Sequence, residues 1–192
     1  MAGSTSSEPP TNPTYERELP DGTIYRVVPP EVGVPVIRRW LEHDWPMTAQ
    51  QALALRDELG WTPSPRKETL VTTNLGSGRP KDASITIIRN KLDSIHVWLS
   101  SFAPIDFDSI TTALTQSMYE QYVHVFTDMY GNGVQKLNKD VQSTTWTLHS
   151  GASIRIDTIG SVISFGVNSP MANYAAAAEA ELLEWEAADD GE

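Results

Sequence analysis

The chain contains no cysteine, and this absence excludes several classes of protein at once. Without thiols there is no disulfide scaffold, no thiolate ligand for a metal and no cysteine nucleophile. No run approaches the roughly 20 consecutive apolar residues of a membrane-spanning helix. The first residues also lack the basic and apolar regions of a secretory signal peptide. We therefore expect a cytoplasmic protein that has no membrane partner.

Positive charge is missing from one end of the chain and concentrated in its middle. From Glu179 onward seven acidic residues occur without Lys or Arg, and they account for most of the formal net charge of −11 in 192 residues. Residues 66–91 hold six basic and two acidic residues, a net charge of +4. An acidic protein is repelled by the phosphates of nucleic acid, so we expect no nucleic-acid partner. The two charged regions either keep the protein soluble and contact each other weakly, or meet a partner of opposite charge.

The motifs of common enzyme classes are also missing. The sequence has no G-x-x-x-x-G-K, G-x-G-x-x-G or G-x-S-x-G motif, and its short glycine pairs are typical of turns. The four histidines have no short spacing to one another, which argues against a metal site, and we expect no cofactor. One catalytic alternative stays open, a small hydrolase or transferase that uses His124 or His149 as its base.

The sequence divides into a leader, one domain and a tail. Residues 1–20 are rich in Ser, Thr and Pro and are expected to be a disordered leader. Residues 21–186 are expected to fold as a single domain, followed by an acidic tail at residues 187–192. The domain begins with a pair of short helices. The first has Pro35 in its first turn, and the second runs from Ala49 to Leu59 behind a capping box of Thr48 and Gln51.

Hydrophobic periodicity then predicts strands on both sides of one long helix. The predicted strands are 68–75, 83–89 and 94–99 before it, and 144–148, 153–157 and 162–167 after it. The helix begins at Asp106 or Asp108, and its apolar residues keep a three-and-four spacing up to Gly131. A last helix starts at Ser169-Pro170, and its narrow apolar stripe of Tyr174, Ala178, Leu182 and Trp185 predicts docking on the body. The expected fold is α+β: a single-domain antiparallel sheet made of two three-stranded meanders, packed by the long central helix and the C-terminal helix, with the short helix pair at the N-terminus.

The candidate binding residues are an aromatic pair and the two charged regions. Most of the six tryptophans are expected in the core, but Trp98 falls with His96 on the strand face opposite Ile95 and Val97. If that face is uncovered, Trp98 marks a contact surface, because aromatic residues are enriched at binding hot spots. The candidate partner-binding residues are Trp98, His96, Arg79, Lys81, Glu181, Glu184, Asp189 and Asp190.

Short motifs spread over the domain support a family resemblance. They are 37–40 (IRRW), 44–48 (DWPMT), 59–61 (LGW), 146–148 (WTL), 150–153 (SGAS) and 168–170 (NSP). With these motifs the chain resembles an uncharacterised family of small actinobacterial proteins of unknown function. The order of elements also resembles the type III secretion chaperone-like fold, which secretion chaperones share with some immunity proteins of bacterial toxin systems. Fold analogy of this kind implies a binding role without establishing it.

Three functional hypotheses follow. The first is a non-catalytic cytosolic protein-binding domain, a toxin-neutralising immunity protein or a secretion-associated chaperone, whose partner is a toxin or a secreted protein. The second is the small hydrolase or transferase with a histidine base. The third is a structural or assembly subunit, such as a phage particle protein. The sequence sets no oligomeric state.

Overall fold

The computed structural model describes residues 15–103 and 108–189, which form one α+β domain. The helices in this part of the chain are α1 (Pro30–Leu41), α2 (Ala49–Glu58), α3 (Asp108–Tyr130) and α4 (Pro170–Asp189). The strands are β1 (Tyr15–Glu18), β2 (Ile24–Val27), β3 (Thr62–Ser64), β4 (Lys67–Thr72), β5 (Ala83–Ile88), β6 (Lys91–Trp98), β7 (Val134–Asn138), β8 (Val141–Thr147), β9 (Ser153–Ile159) and β10 (Val162–Asn168). The predicted fold class is confirmed.

Eight strands form one antiparallel sheet in the order β3-β4-β5-β6-β10-β9-β8-β7. Each predicted three-stranded meander therefore gains a fourth strand at its outer edge. The sequence did not indicate β3, because it is three residues long and contains Pro63, a residue that only an edge strand tolerates. All five residues of β7 are exposed, so that strand lacks the buried alternation on which the prediction depended. The two meanders meet where β6 pairs with β10.

The sheet has an apolar face covered by helices and a polar face opposite it. On the apolar face, Ile95, Val97 and Phe165 are at most 1% exposed. Helices α1 and α3 contact each other and the strands β9 and β10. The polar face is defined here by the residues that alternate with this core: Ser84, His96, Trp98, Arg155, Asp157, Ser164 and Gly166. Hydroxyl pairs also anchor α3, since Tyr119 Oη lies 2.5 Å from Thr144 Oγ1.

A two-stranded hairpin precedes the first helix. Strands β1 and β2 pair from Tyr15↔Val27 to Glu18↔Ile24, and Arg26 Nε lies 2.7 Å from Glu16 Oε1. The prediction that residues 1–20 form a disordered leader is therefore wrong for residues 15–18, because these residues gain backbone hydrogen bonds from β2. Residues 1–14 lie outside the described part of the chain.

The predicted helix pair is confirmed in its main contacts. Thr48 Oγ1 accepts from Gln51 N, and Gln51 Oε1 accepts from Thr48 N at 2.9 Å, which completes the capping box. The rings of Trp40 and Trp61 pack 5.5 Å apart, and both side chains are buried. Helix α1 starts at Pro30, however, so Pro35 lies inside it and not in its first turn. Pro30 takes the first helical position, where a missing N–H is no loss.

The last helix departs from the prediction. Ser169 Oγ accepts from Ala172 N at 3.0 Å, as expected for an N-cap, and Asn173 bonds both Ser153 and Gly151. Beyond this anchored first turn the predicted docking on the body is wrong, because Tyr174 and Trp185 are more than 70% exposed. Within residues 15–103 and 108–189, no helix has the length and apolar character needed to cross a membrane.

Candidate functional site on the polar face

The loop between β4 and β5 is shaped by one buried carboxylate. Asp82 accepts from Thr73 N at 2.6 Å, from Thr73 Oγ1 at 2.7 Å and from Ser77 Oγ at 2.7 Å. Gly76 and Gly78 supply the left-handed backbone, at φ +84° and +77°, that lets the loop fold around this carboxylate. Because three donors satisfy Asp82, the loop holds a defined shape. The loop carries Arg79, the residue after Gly78, over the edge of the sheet.

Arg79 lies in a stack of rings on the polar face. Its guanidinium carbon is 4.5 Å from the ring centroid of Trp98 and 3.3 Å from that of Phe102. The His96 ring meets Trp98 edge-on, with centroids 4.6 Å apart and planes at 82°. We call these four residues the Arg79 stack. Cation–π contact of this kind stabilises a guanidinium on both of its faces.

Arg79 forms no ion pair within residues 15–103 and 108–189. Arg79 is 7% exposed, and its Nε and Nη2 atoms are buried without a hydrogen-bond partner. Burial lowers the pKa of Arg79 to about 10, although the Tyr25 hydroxyl and Asp82 act in the opposite direction. Asp82 forms no hydrogen bond with Arg79, and its carboxylate accepts from Thr73 and Ser77 instead. A buried cation in this state is costly until it is paired.

His96 and an ion pair complete the polar face. Burial lowers the pKa of His96 below its usual value; Asp157 opposes this shift, and Arg155 and Arg79 add to it. The shift favours the neutral form of the ring. Arg155 Nε lies 2.9 Å from Asp157 Oδ2. Gly166 separates His96 from Arg155 in the strand register, so no side chain rises between them.

The structure brings together three of the eight predicted binding residues, namely Arg79, Trp98 and His96. Trp98 and His96 are partly exposed, so Trp98 is not buried under a helix. Lys81 is exposed in the same loop, and its backbone N donates to Thr72 Oγ1. Whether these residues bind a partner stays a prediction.

The predicted acidic binding residues belong to α4 or follow it in the sequence, and none of them is part of the Arg79 stack. Glu181 is exposed on that helix. Glu184 and Asp189 lie in α4, but their side chains are outside the described part of the structure, and Asp190 lies outside the described residues altogether.

Phe102 is the member of the stack that the sequence did not indicate. It follows β6 in a loop and is 69% exposed. Its only signal in the sequence is an aromatic residue just after the strand that carries Trp98. The contact with Arg79 depends on a loop 23 residues earlier in the chain, so local patterns could not reveal it.

The two histidines proposed as catalytic bases lie apart from each other at the surface. The side chain of His124 is 77% exposed on α3, 3.6 Å from Asp128. His149 is exposed in the turn between β8 and β9. In the described ranges no hydrogen bond joins either ring to a serine, and no three His, Asp or Glu side chains come together where they could hold a metal ion.

A separate cleft of about 710 Å³ lies where α4 leaves the body. Its apolar walls include Trp45, Ile88 and Met171. Arg89 and Lys91 line the same cleft, and neither forms an ion pair with the described residues. Asp93 also lines the cleft, so its charged residues are two basic and one acidic, whereas α4 is apolar and acidic.

Comparison with known proteins shows which family the chain belongs to. The model of DUF6301, a family of unknown function, matches residues 31–169, and the chain is a member of this family. No curated protein and no solved structure matches the chain. The match includes the Arg79 stack and ends one residue before α4. Membership in an uncharacterised family agrees with the resemblance drawn from the sequence, whereas the actinobacterial origin and the secretion chaperone-like fold stay predictions.

Proposed function

We propose that this protein is a non-catalytic protein-binding domain whose partner contacts the polar face of the sheet at the Arg79 stack. An immunity protein and a secretion-associated chaperone both act in this way, by occluding a toxin or a secreted protein. The observation that carries the proposal is a partly exposed tryptophan packed against a buried arginine, two of whose nitrogens have no hydrogen-bond partner in the described part of the chain.

The chemistry of the stack supports a binding role. Arginine and tryptophan are the residues most enriched among binding hot spots, and they act best where water is excluded. Arg79 is already desolvated in the free protein, so a partner that pairs with it gains the interaction without a further desolvation cost for this side chain. Around it the polar face offers hydroxyl and imidazole groups to a partner's hydrogen bonds.

The overall charge supports a partner with a basic surface. The formal net charge of −11 attracts a cationic protein over a distance and speeds its association. Such long-range steering is separate from the short-range contacts that select the partner. We therefore assign recruitment to the acidic body and α4, and recognition to the Arg79 stack.

Affinity capture with two matched tryptophan variants tests this proposal. We expect the wild-type chain to co-purify one stoichiometric protein from its native lysate. Trp98→Ala should lose that protein, whereas Trp185→Ala should retain it, since Trp185 is 72% exposed on α4 and distant in sequence from the stack. Circular dichroism checks that both variants fold. Equal capture by Trp98→Ala and wild type, or recovery of the wild-type chain alone, would contradict the proposal.

The exposed face of α4 favours a second candidate, an assembly subunit. Large apolar side chains stand exposed along this helix: Met171, Tyr174, Leu182, Leu183 and Trp185. Such a helix resembles one side of an interface. Its acidic residues complement Arg89 and Lys91 in the cleft beside Trp45, so the occupant we propose for that cleft is α4 of a second copy. A molecular mass that rises with concentration would support this candidate.

A further inference from the structure

We propose that Arg79 is a carboxylate-binding site, whose guanidinium receives one carboxylate of the partner protein between Trp98 and Phe102. The inference rests on the proposed function, because the partner supplies the carboxylate. It adds the chemical group that the polar face recognises and the atoms that recognise it.

A second buried arginine in the same chain shows what Arg79 lacks. Arg56 and Arg79 are both 7% exposed. Arg56 reaches Asp57 Oδ1 at 2.6 Å and donates to the Glu68 carbonyl oxygen at 3.0 Å. Arg79 forms no ion pair with the described residues, and two of its nitrogens donate to no atom. Among the described residues, equal burial with unequal pairing leaves the guanidinium of Arg79 open to a carboxylate from another molecule.

The two unpaired nitrogens form one geometric unit. Nε–H and one Nη2–H point in parallel along the same edge of the planar guanidinium, and this edge is the fork that holds a carboxylate by two hydrogen bonds. Trp98 and Phe102 both lie over the group, with ring centroids 4.5 and 3.3 Å from its central carbon. We therefore expect a ligand to approach in the plane of the guanidinium, toward the unpaired fork.

The shape and charge of this site favour a carboxylate over a phosphate. A carboxylate is planar and carries one charge, which matches one unpaired cation in a slot between two aromatic faces. A phosphate is tetrahedral, carries nearly two charges near neutral pH, and cannot lie flat in that slot. Asp82 and Asp157 nearby would also oppose a dianion.

The Nε and Nη2 atoms are covered in the free protein, so a ligand needs part of the stack to move. Phe102 lies against the guanidinium and is 69% exposed. We expect its ring to be the part of the stack that moves at least cost. Trp98, by contrast, is fixed in the central strand pair β6–β10.

Nuclear magnetic resonance of the wild-type full chain tests the site directly. The readouts are the Nε–H signal of Arg79 and the indole N–H signal of Trp98. The probes are acetyl-Gly-Glu-Gly-amide, which offers a side-chain carboxylate, and acetyl-Gly-Gly-Gly, which offers a C-terminal one. Acetyl-Gly-Gln-Gly-amide is the neutral control, and inorganic phosphate is the tetrahedral one. We expect saturable shifts with one or both carboxylate peptides in the millimolar range, and the tighter one identifies the source of the carboxylate.

Two arginine variants locate the effect. Arg79→Gln should weaken binding of the carboxylate peptides by about tenfold or more, as expected for loss of a charge-assisted pair. Arg39→Gln should leave it unchanged, because Arg39 lies on α1 and is already paired with Glu58. The wild-type titration is decisive even if Arg79→Gln does not fold.

Three results would overturn the inference: no saturable shift with either carboxylate peptide, an equal shift with the glutamine or phosphate control, or equal losses in both variants. Failure here is separable from failure of the proposed function. If Trp98→Ala loses the captured partner while the carboxylate peptides do not bind, only the carboxylate site is wrong. If the peptides bind at Arg79 while capture is independent of Trp98, only the binding role of the polar face is wrong.

Discussion

At the scale of single residues, a glycine sets how closely α1 approaches α3. A Cβ at position 33 would overlap the hydroxyl of Tyr122 and lie 3.0 Å from its Cζ. That hydroxyl donates to the carbonyl oxygens of Val28 and Pro29, at 3.1 and 3.2 Å, just before α1 begins. Gly33 therefore keeps open the space in which α3 ties down the start of α1.

Substitution of Gly33 measures this close packing. Gly33→Ala should lower the free energy of unfolding by about 1–3 kcal/mol, the usual cost of overpacking a core, as measured by urea denaturation. Tyr122→Phe in the Gly33→Ala background should recover part of that loss, because the overlapping hydroxyl is gone. A Gly33→Ala chain as stable as the wild type would show that the two helices move apart freely.

Sequence reasoning reached part of the site at this scale and missed the rest. Strand alternation placed Trp98 and His96 on the face opposite the core, and the structure agrees. The basic window around Arg79 was visible from charge alone. The lack of an ion pair at Arg79 among the described residues was not visible in the sequence. It depends on tertiary contacts, including the hydrogen bonds by which Thr73 and Ser77 engage Asp82. Such tertiary hydrogen bonds leave no periodic signal.

At the scale of elements, strongly periodic segments were predicted well and edge elements poorly. The long helix α3 and the inner strands each carry a regular apolar pattern, and each forms as expected. The outer strands β3 and β7 carry none, since their side chains are mostly exposed. For helix α4 the apolar pattern was present, but the docking predicted from it was wrong. An apolar stripe alone does not show whether a helix packs on its own chain or on another.

The second candidate function gives α4 a measurable behaviour. If α4 docks in the cleft of a second copy, light scattering should show a mass that rises toward two chains with concentration. Trp185→Glu and Arg89→Glu should each keep the mass at one chain, because one removes an apolar contact and the other reverses a charge. Val134→Glu, a matched change at a 62% exposed residue of β7, should behave as wild type. A mass independent of concentration would exclude this use of α4.

At the scale of the whole molecule, the core and the face that we propose for recognition lie on opposite sides of the sheet. Helices α1 and α3 and the apolar face of the sheet enclose the aromatic and aliphatic core. The opposite, polar face carries Trp98, His96 and Arg79, which we propose contact a partner. The family match covers the polar face and most of the core and stops before α4.

Site-specific photo-crosslinking in cells tests whether a partner binds the polar face. A photoreactive phenylalanine analogue would replace Arg155 on that face or Thr86, which is exposed two residues after Ser84 on the same side of β5. In a control chain it would replace Glu120, an exposed position on α3. We predict that the captured partner crosslinks at Thr86 or Arg155 and not at Glu120. Crosslinks at Glu120 with none at the polar face would place the partner on the helical side and contradict the proposed binding face.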